Sequence, residues 1–96
     1  GSVVESGSPE AIYARPKTHA MAHAFGRINE RPLKEVPAHL REHQAAFTVD
    51  TTWYLRPEHL TEQQVPQDAQ REREERSGSH ALQIWSSPDG PWYTQW

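Results

Sequence analysis

The sequence contains no cysteine. Disulfides, thiolate nucleophiles and cysteine-ligated zinc are therefore excluded, while the compartment stays open, since both secreted and cytosolic chains can lack the residue. Long apolar runs are also missing. Nothing approaches the ~18 residues that a membrane span needs, and no signal peptide is visible, so the chain is read as soluble with no membrane partner. Aliphatics are scarce: Val, Ile, Leu and Phe account for 15 of the 96 residues, below the roughly 20% at which disorder competes with folding. Disorder also calls for a large net charge, and here the formal charge is only -3. Four Trp and three Tyr supply large buried areas in place of the missing aliphatics. One small domain of modest stability is expected.

A strong excess of one charge sign is absent too. From Arg15 to Arg41 six cationic side chains face only Glu30 and Glu35, whereas from Thr51 onward four cations face seven carboxylates. A dedicated DNA binder carries a more one-sided basic surface. Gly1-Ser2 reads as a cloning scar at the head of a disordered Ser/Gly-rich tail over residues 1–10. Residues 11–96 read as a single α+β domain. Ala11 to Ala14 form a short turn or strand that Pro16 ends.

Two helices are expected first. One runs from Lys17 to Asn29 with Thr18 as N-cap and Met21, Phe25 and Ile28 as its apolar stripe. The other runs from Pro37 to about Ala46, with Val36, Leu40, His43 and Phe47 on one stripe. Phe47 to Leu55 alternates and is β-branched, which predicts one strand with Phe47, Val49, Thr51, Trp53 and Leu55 pointing one way. The connection 56–79 is charged; Thr61 to Gln64 resembles a capping box, and Gln67 to Arg76 has no apolar face, so it reads as a surface helix or a loop.

The last seventeen residues predict a hairpin. Ser87-Pro88-Asp89-Gly90 suits a type I turn followed by a left-handed Gly, the three-residue loop with a G1 bulge. That loop sets Trp85 opposite Tyr93 and Gln83 opposite Gln95, with Leu82, Ile84, Trp92, Thr94 and Trp96 on the core face. The predicted architecture is two N-terminal helices packed on a three-stranded antiparallel sheet that ends in this C-terminal β-hairpin.

Histidine is the enriched residue type, and His19/His23 and His39/His43 each stand one helical turn apart. Such pairs can share one metal, and His39-Leu40-Arg41-Glu42-His43 also spells the H-x-x-E-H string of a class of zinc peptidases. The expected helix faces aim the two pairs apart, with His19 and His23 toward solvent, so neither a metal nor any other cofactor is expected. No phosphate-binding Gly loop or nucleophile elbow is present.

Two functions remain. The first is a non-catalytic protein-interaction domain, alone or as a fragment of a larger chain, that binds another protein through Trp85, Tyr93, Gln83 and Gln95, because aromatics are enriched at interfaces. The second is a small metal-independent ribonuclease of toxin type, using His19, Lys17, Arg41, His43 and Tyr54 for acid–base chemistry and charge stabilisation. RNA is a partner only under the second reading. Oligomeric state is not legible in the sequence.

Overall fold

The computed structural model describes residues 9–96, with Pro9 described through its backbone alone. Of the disordered tail expected over residues 1–10, residues 1–8 lie outside the described residues, and Pro9 and Glu10 open a helix instead. Among the described residues the fold is mixed α+β, with three short helices and two three-stranded antiparallel sheets. The single sheet expected from the sequence is replaced by two. No described helix is long and apolar enough to cross a membrane.

The helices α1 (Pro9–Ala14), α2 (His19–His23) and α3 (Ala38–Arg41) each stop short of two turns. Ala11 to Ala14 are thus helical rather than a turn or strand. Thr18 does cap α2, its Oγ1 accepting the Met21 N–H at 3.1 Å. The helix cannot reach Asn29 because the chain turns at Gly26, whose φ is +111°. Phe25, expected in the core stripe, is left 53% exposed. Beyond α3, His43 Nδ1 accepts the Ala45 N–H at 3.0 Å. That local bond offers the backbone an alternative to continuing the helix.

The first sheet has the order β1-β3-β2, from β1 (Asn29–Pro32), β2 (Phe47–Val49) and β3 (Thr52–Leu55). The expected nine-residue strand folds back on itself at Asp50, which takes a left-handed φ of 55°, a conformation Asp tolerates better than most residues. The fold-back changes the faces. Tyr54 lies opposite Phe47 and stacks on it at 5.3 Å. Ala22 of α2 covers this face, in a cluster with Ile28, Phe47, Val49 and Tyr54. On the other face Trp53 and Leu55 enter the main core with Val36, Leu40, Leu60, Val65 and Trp92.

The second sheet comprises β4 (Gln70–Ser77), β5 (His80–Ser86) and β6 (Trp92–Gln95). Residues 56–79, expected as helix or loop, form 3-10 turns at Pro57–His59 and Glu62–Gln64 and then the edge strand β4. Gln64 Oε1 accepts the Thr61 N–H at 3.1 Å, the returning half of the capping box. Every residue of β4 is exposed. Its charges suit a strand because residues two apart share a face: Arg73 pairs with Glu75 at 3.6 Å and Arg76 with Glu74 at 3.0 Å.

The C-terminal hairpin forms, but one residue out of the expected register. Trp85 pairs with Trp92, Ile84 with Tyr93, Gln83 with Thr94 and Leu82 with Gln95. The expected loop required Pro91 to donate a hydrogen bond to Ser87, and proline has no N–H. The turn instead closes within Ser87–Gly90, through Gly90 N–H to Ser87 C=O at 3.1 Å. Gln83 and Trp85 therefore share a face with Trp92 and Thr94, while Tyr93 and Gln95 lie with Ile84 and Leu82. Gln83 is fully buried, and Thr94 Oγ1 links it to Trp85, donating to Gln83 Oε1 at 2.9 Å and accepting from Trp85 Nε1 at 3.0 Å.

β1 joins the two sheets. The Asn29 amide donates to Tyr93 C=O at 2.9 Å and to Leu55 C=O at 3.1 Å, and its oxygen accepts the Tyr93 N–H at 2.6 Å. Two residues on, the Arg31 guanidinium stacks 4.1 Å from the Trp92 ring centre and donates to Pro91 C=O at 2.7 Å. A second buried cation holds the helices. Arg56 donates to Ala22 C=O of α2 and Tyr13 C=O of α1 and lies 4.2 Å from the Tyr13 ring centre. Tyr13 in turn donates to Glu58 at 2.7 Å.

Two outcomes follow from this joint and from α1. Replacing Asn29 with Ala leaves the part-buried N–H and C=O of Tyr93 without their partner and costs roughly 1–3 kcal/mol for each group so stranded. Urea denaturation reads the loss, and the Tyr93 amide exchanges with solvent faster than its neighbours in β6. For α1, burial and the hydrogen bond to Glu58 push the Tyr13 phenol up to about 12. A raised folded value means that the contact stabilises fully below the ordinary phenol value near ~10 and is lost as pH rises through about 12. The stability gap between the parent and Tyr13→Phe is expected to close over that window, and a gap that persists at its upper end contradicts the Tyr13–Glu58 bond.

Candidate acid–base site

The short α2 sets the site. Because it ends at His23, it lies across the first sheet with Ala22 inward, and the residues one turn apart on that side are His19 and His23. Both were expected to face solvent, and both side chains are about half exposed, yet each also reaches a polar group of the sheet. Glu30 and Tyr54 are cross-strand partners on β1 and β3, so their side chains emerge side by side beneath the helix.

A continuous hydrogen-bonded chain results. Asp50 Oδ2 lies 3.2 Å from His19 Nε2. His19 Nδ1 lies 2.6 Å from the Tyr54 hydroxyl. Tyr54 donates to Glu30 Oε2 at 2.8 Å, and His23 Nε2 lies 3.1 Å from the same oxygen. The proton positions follow from the acceptors. Tyr54 has one proton and gives it to Glu30, so its oxygen accepts from His19. A carboxylate cannot donate, so His23 carries a proton on Nε2. Glu30 Oε1 and His23 Nδ1 take no hydrogen bond among the described residues.

Burial and bonding pull the two acids of the chain in opposite directions. Burial pushes the Glu30 carboxyl up, but the hydrogen bonds from Tyr54 and His23 outweigh it and hold the group below its ordinary value. For Tyr54 burial acts first, and the Glu30 carboxylate it donates to acts with it, so the phenol stays protonated well above its usual range. The pair is thus an ionised carboxylate fixed by a permanent donor.

Beside this pair opens a cleft of about 450 Å³ whose walls include His23, Glu30, Arg27, Arg31 and Tyr93. Arg27 is half-exposed, with Nε 3.5 Å from Glu75 and its guanidinium carbon 5.6 Å from the Tyr93 ring centre. The cleft thus combines a carboxylate, an imidazole, a solvent-facing guanidinium and an aromatic ring. Among the described residues no group of three or more His, Asp or Glu side chains is arranged to hold a metal ion.

Of the acid–base residues expected from the sequence, His19 and Tyr54 meet. Lys17 lies with Arg15 and Asp50 on a neighbouring hollow. Arg41 donates to Val36 C=O at 3.0 Å, and His43 caps its own turn, so neither joins the chain. His39 Nε2 lies 2.7 Å from Gln64 C=O and serves packing of the 3-10 turn; α3 ends before His43, so the H-x-x-E-H string does not share one helix face. Trp85, Tyr93, Gln83 and Gln95 do not form one surface, and only Tyr93 of the four lines the cleft. Sequence reasoning missed Glu30, His23 and Arg27. The i, i+4 spacing of His19 and His23 was the available signal for the first imidazole pair. Glu30 carried none, because Asn29 to Pro32 reads as a helix breaker and not as a strand.

Replacing Tyr54 with Phe keeps the stack on Phe47 and removes one donor to Glu30. Losing a bond to the charged form raises an acid's pKa, so the Glu30 carboxyl is expected to titrate higher in the variant when followed by carbon-detected NMR. An unchanged Glu30 titration rules the Tyr54–Glu30 bond out. Comparison with family models, curated proteins and solved structures gives no match to this chain, so the functional reading rests on the geometry of the site.

Proposed function

We propose that the chain cleaves phosphodiester bonds of RNA by metal-independent acid–base catalysis, with Glu30 and His23 as the reacting pair. The observation that supports this is their 3.1 Å contact on the wall of a cleft that also presents Arg27. Glu30, held ionised, accepts the proton of the ribose 2′-hydroxyl on Oε1. The 2′-oxygen forms a bond to phosphorus, and the phosphorus–5′-oxygen bond breaks with its electron pair on the departing oxygen. His23, in its doubly protonated form with Nε2–H on Glu30, donates its Nδ1 proton to that oxygen. The products are a 2′,3′-cyclic phosphate and a 5′-hydroxyl. Moving one proton from Glu30 to His23 resets the pair. Arg27 faces the negative charge that grows on the phosphate, the role that fixed cations fill in such sites. Tyr54 and His19 are positioning residues that hold Glu30.

The protein-interaction reading through Trp85, Tyr93, Gln83 and Gln95 ranks second, because the register removes the shared face that motivated it. The overall charge of -3 weakens any non-specific hold on RNA, so the local cations of the cleft carry the recognition.

The test is cleavage of a fluorescent RNA oligonucleotide in the presence of a chelator. Glu30→Gln and His23→Gln are each expected to lower kcat about 10²–10⁴-fold with the fold intact by circular dichroism. Because Glu30 titrates below its ordinary value, the acid limb of the rate profile falls below the usual glutamate pKa of ~4.3. RNA left intact by the parent, or cleaved at the parent rate by Glu30→Gln, defeats the proposal.

A further inference from the structure

The cleft holds a second feature that the acid–base step does not use, the ring of Tyr93. We infer that Tyr93 is a stacking platform for one nucleobase and that the substrate is therefore single-stranded RNA, an inference that rests on the reading of Glu30 and His23 given above.

Three observations carry it. The platform is rigid, because Asn29 clasps both the N–H and the C=O of Tyr93, at 2.6 and 2.9 Å. The ring is also not closed off by its cation. The guanidinium carbons of Arg31 and Arg56 lie 4.1 and 4.2 Å from the centres of the Trp92 and Tyr13 rings. Arg27 stands back at 5.6 Å from the Tyr93 ring. It is 43% exposed at its side chain, and its ion-pair partner among the described residues is the half-exposed Glu75, so an incoming phosphate can draw it away. Finally, the ring and the reacting pair line the same cleft, so a base laid on Tyr93 carries its own ribose and phosphate toward Glu30, His23 and Arg27.

The strand requirement follows from base chemistry. A paired base keeps both faces in the duplex stack and cannot lie on a protein ring without being extruded, whereas an unpaired base can. Stacking uses the π-face that every base has, so little sequence preference is expected. RNA is chosen over DNA because the attacking group is the substrate's own 2′-hydroxyl.

The experiment measures kcat and KM on single-stranded RNA, duplex RNA and single-stranded DNA of one sequence, for the parent, Tyr93→Phe and Tyr93→Leu. Leucine keeps apolar bulk in β6 and removes the flat ring; melting curves check that the fold survives. The expected result is a KM raised about tenfold for Tyr93→Leu, an unchanged kcat, parental behaviour for Tyr93→Phe, and poor turnover of duplex and DNA. A parental KM in Tyr93→Leu, or duplex cleaved as well as single strand, overturns the platform while leaving the acid–base reading in place. Binding of the labelled single strand is followed by anisotropy in Glu30→Gln and in the Glu30→Gln, Tyr93→Leu double variant. If the parent cleaves nothing yet this binding drops on removal of the ring, the acid–base reading fails and the platform stands. If the ring makes no difference to binding either, both fall.

Discussion

The side chain of Asn29 supplies the backbone-directed hydrogen bonds that join the two sheets. Asn29 is fully buried and spends its amide on the backbone of β6, behaving as a short stretch of extra strand between sheets that do not otherwise pair. The strands of the first sheet, three and four residues long, lie at the short end of the usual range. Joined, the sheets enclose Trp53 and Trp92, whose rings meet edge to face at 6.3 Å. The cleft is a by-product of the same joint. It exists where β1 and β6 meet, with Glu30 on one side of the seam and Tyr93 on the other. Fold stability and site geometry therefore depend on a common set of hydrogen bonds.

Local signals were legible in the sequence. The Thr18 cap and the reverse turn at Ser87–Gly90 follow from chemistry within a few residues; Trp53 and Trp92 are buried as expected, whereas Trp96, expected on the same core face, is 60% exposed. What escaped was set by single residues that break a pattern. Pro91 shifted the hairpin register by one, which moved Gln83 and Trp85 from a supposed outer surface into a buried ladder with Thr94. Asp50 folded a promising long strand into a hairpin and turned Tyr54 toward α2. Gly26 cut the first helix to five residues, which put His19 and His23 above Tyr54 and Glu30. In Arg71 to Arg76 opposite charges stand two residues apart at Arg73/Glu75 and Glu74/Arg76, which fits β4, while the absence of an apolar face points to a surface helix or loop. The site was less legible than the fold because Glu30 and Tyr54 lie 24 residues apart in sequence, and only pairing of β1 with β3 brings them together.

The two buried cations divide the labour of a sparse core. Arg31 binds the outer end of β6 to β1, and Arg56 gathers the carbonyls of two helices that have few apolar contacts of their own. Each is planar and lies against an aromatic ring, so each presents an apolar face to the core and polar edges to backbone carbonyls. Lysine at either position keeps the charge and loses the fork. A chain poor in aliphatics thus uses arginine as a packing residue.

The eight-residue strand β4 is the long free edge of the second sheet, and such edges invite a neighbouring molecule to add its own strand. Here six consecutive residues, Arg71 to Arg76, are charged, and a bulge at Glu72 interrupts the ladder. A second copy approaching along this edge must strip water from that row and straighten the bulge before one new backbone bond forms. The edge that looks most available for fibre growth is thus blunted by its own charges and bulge.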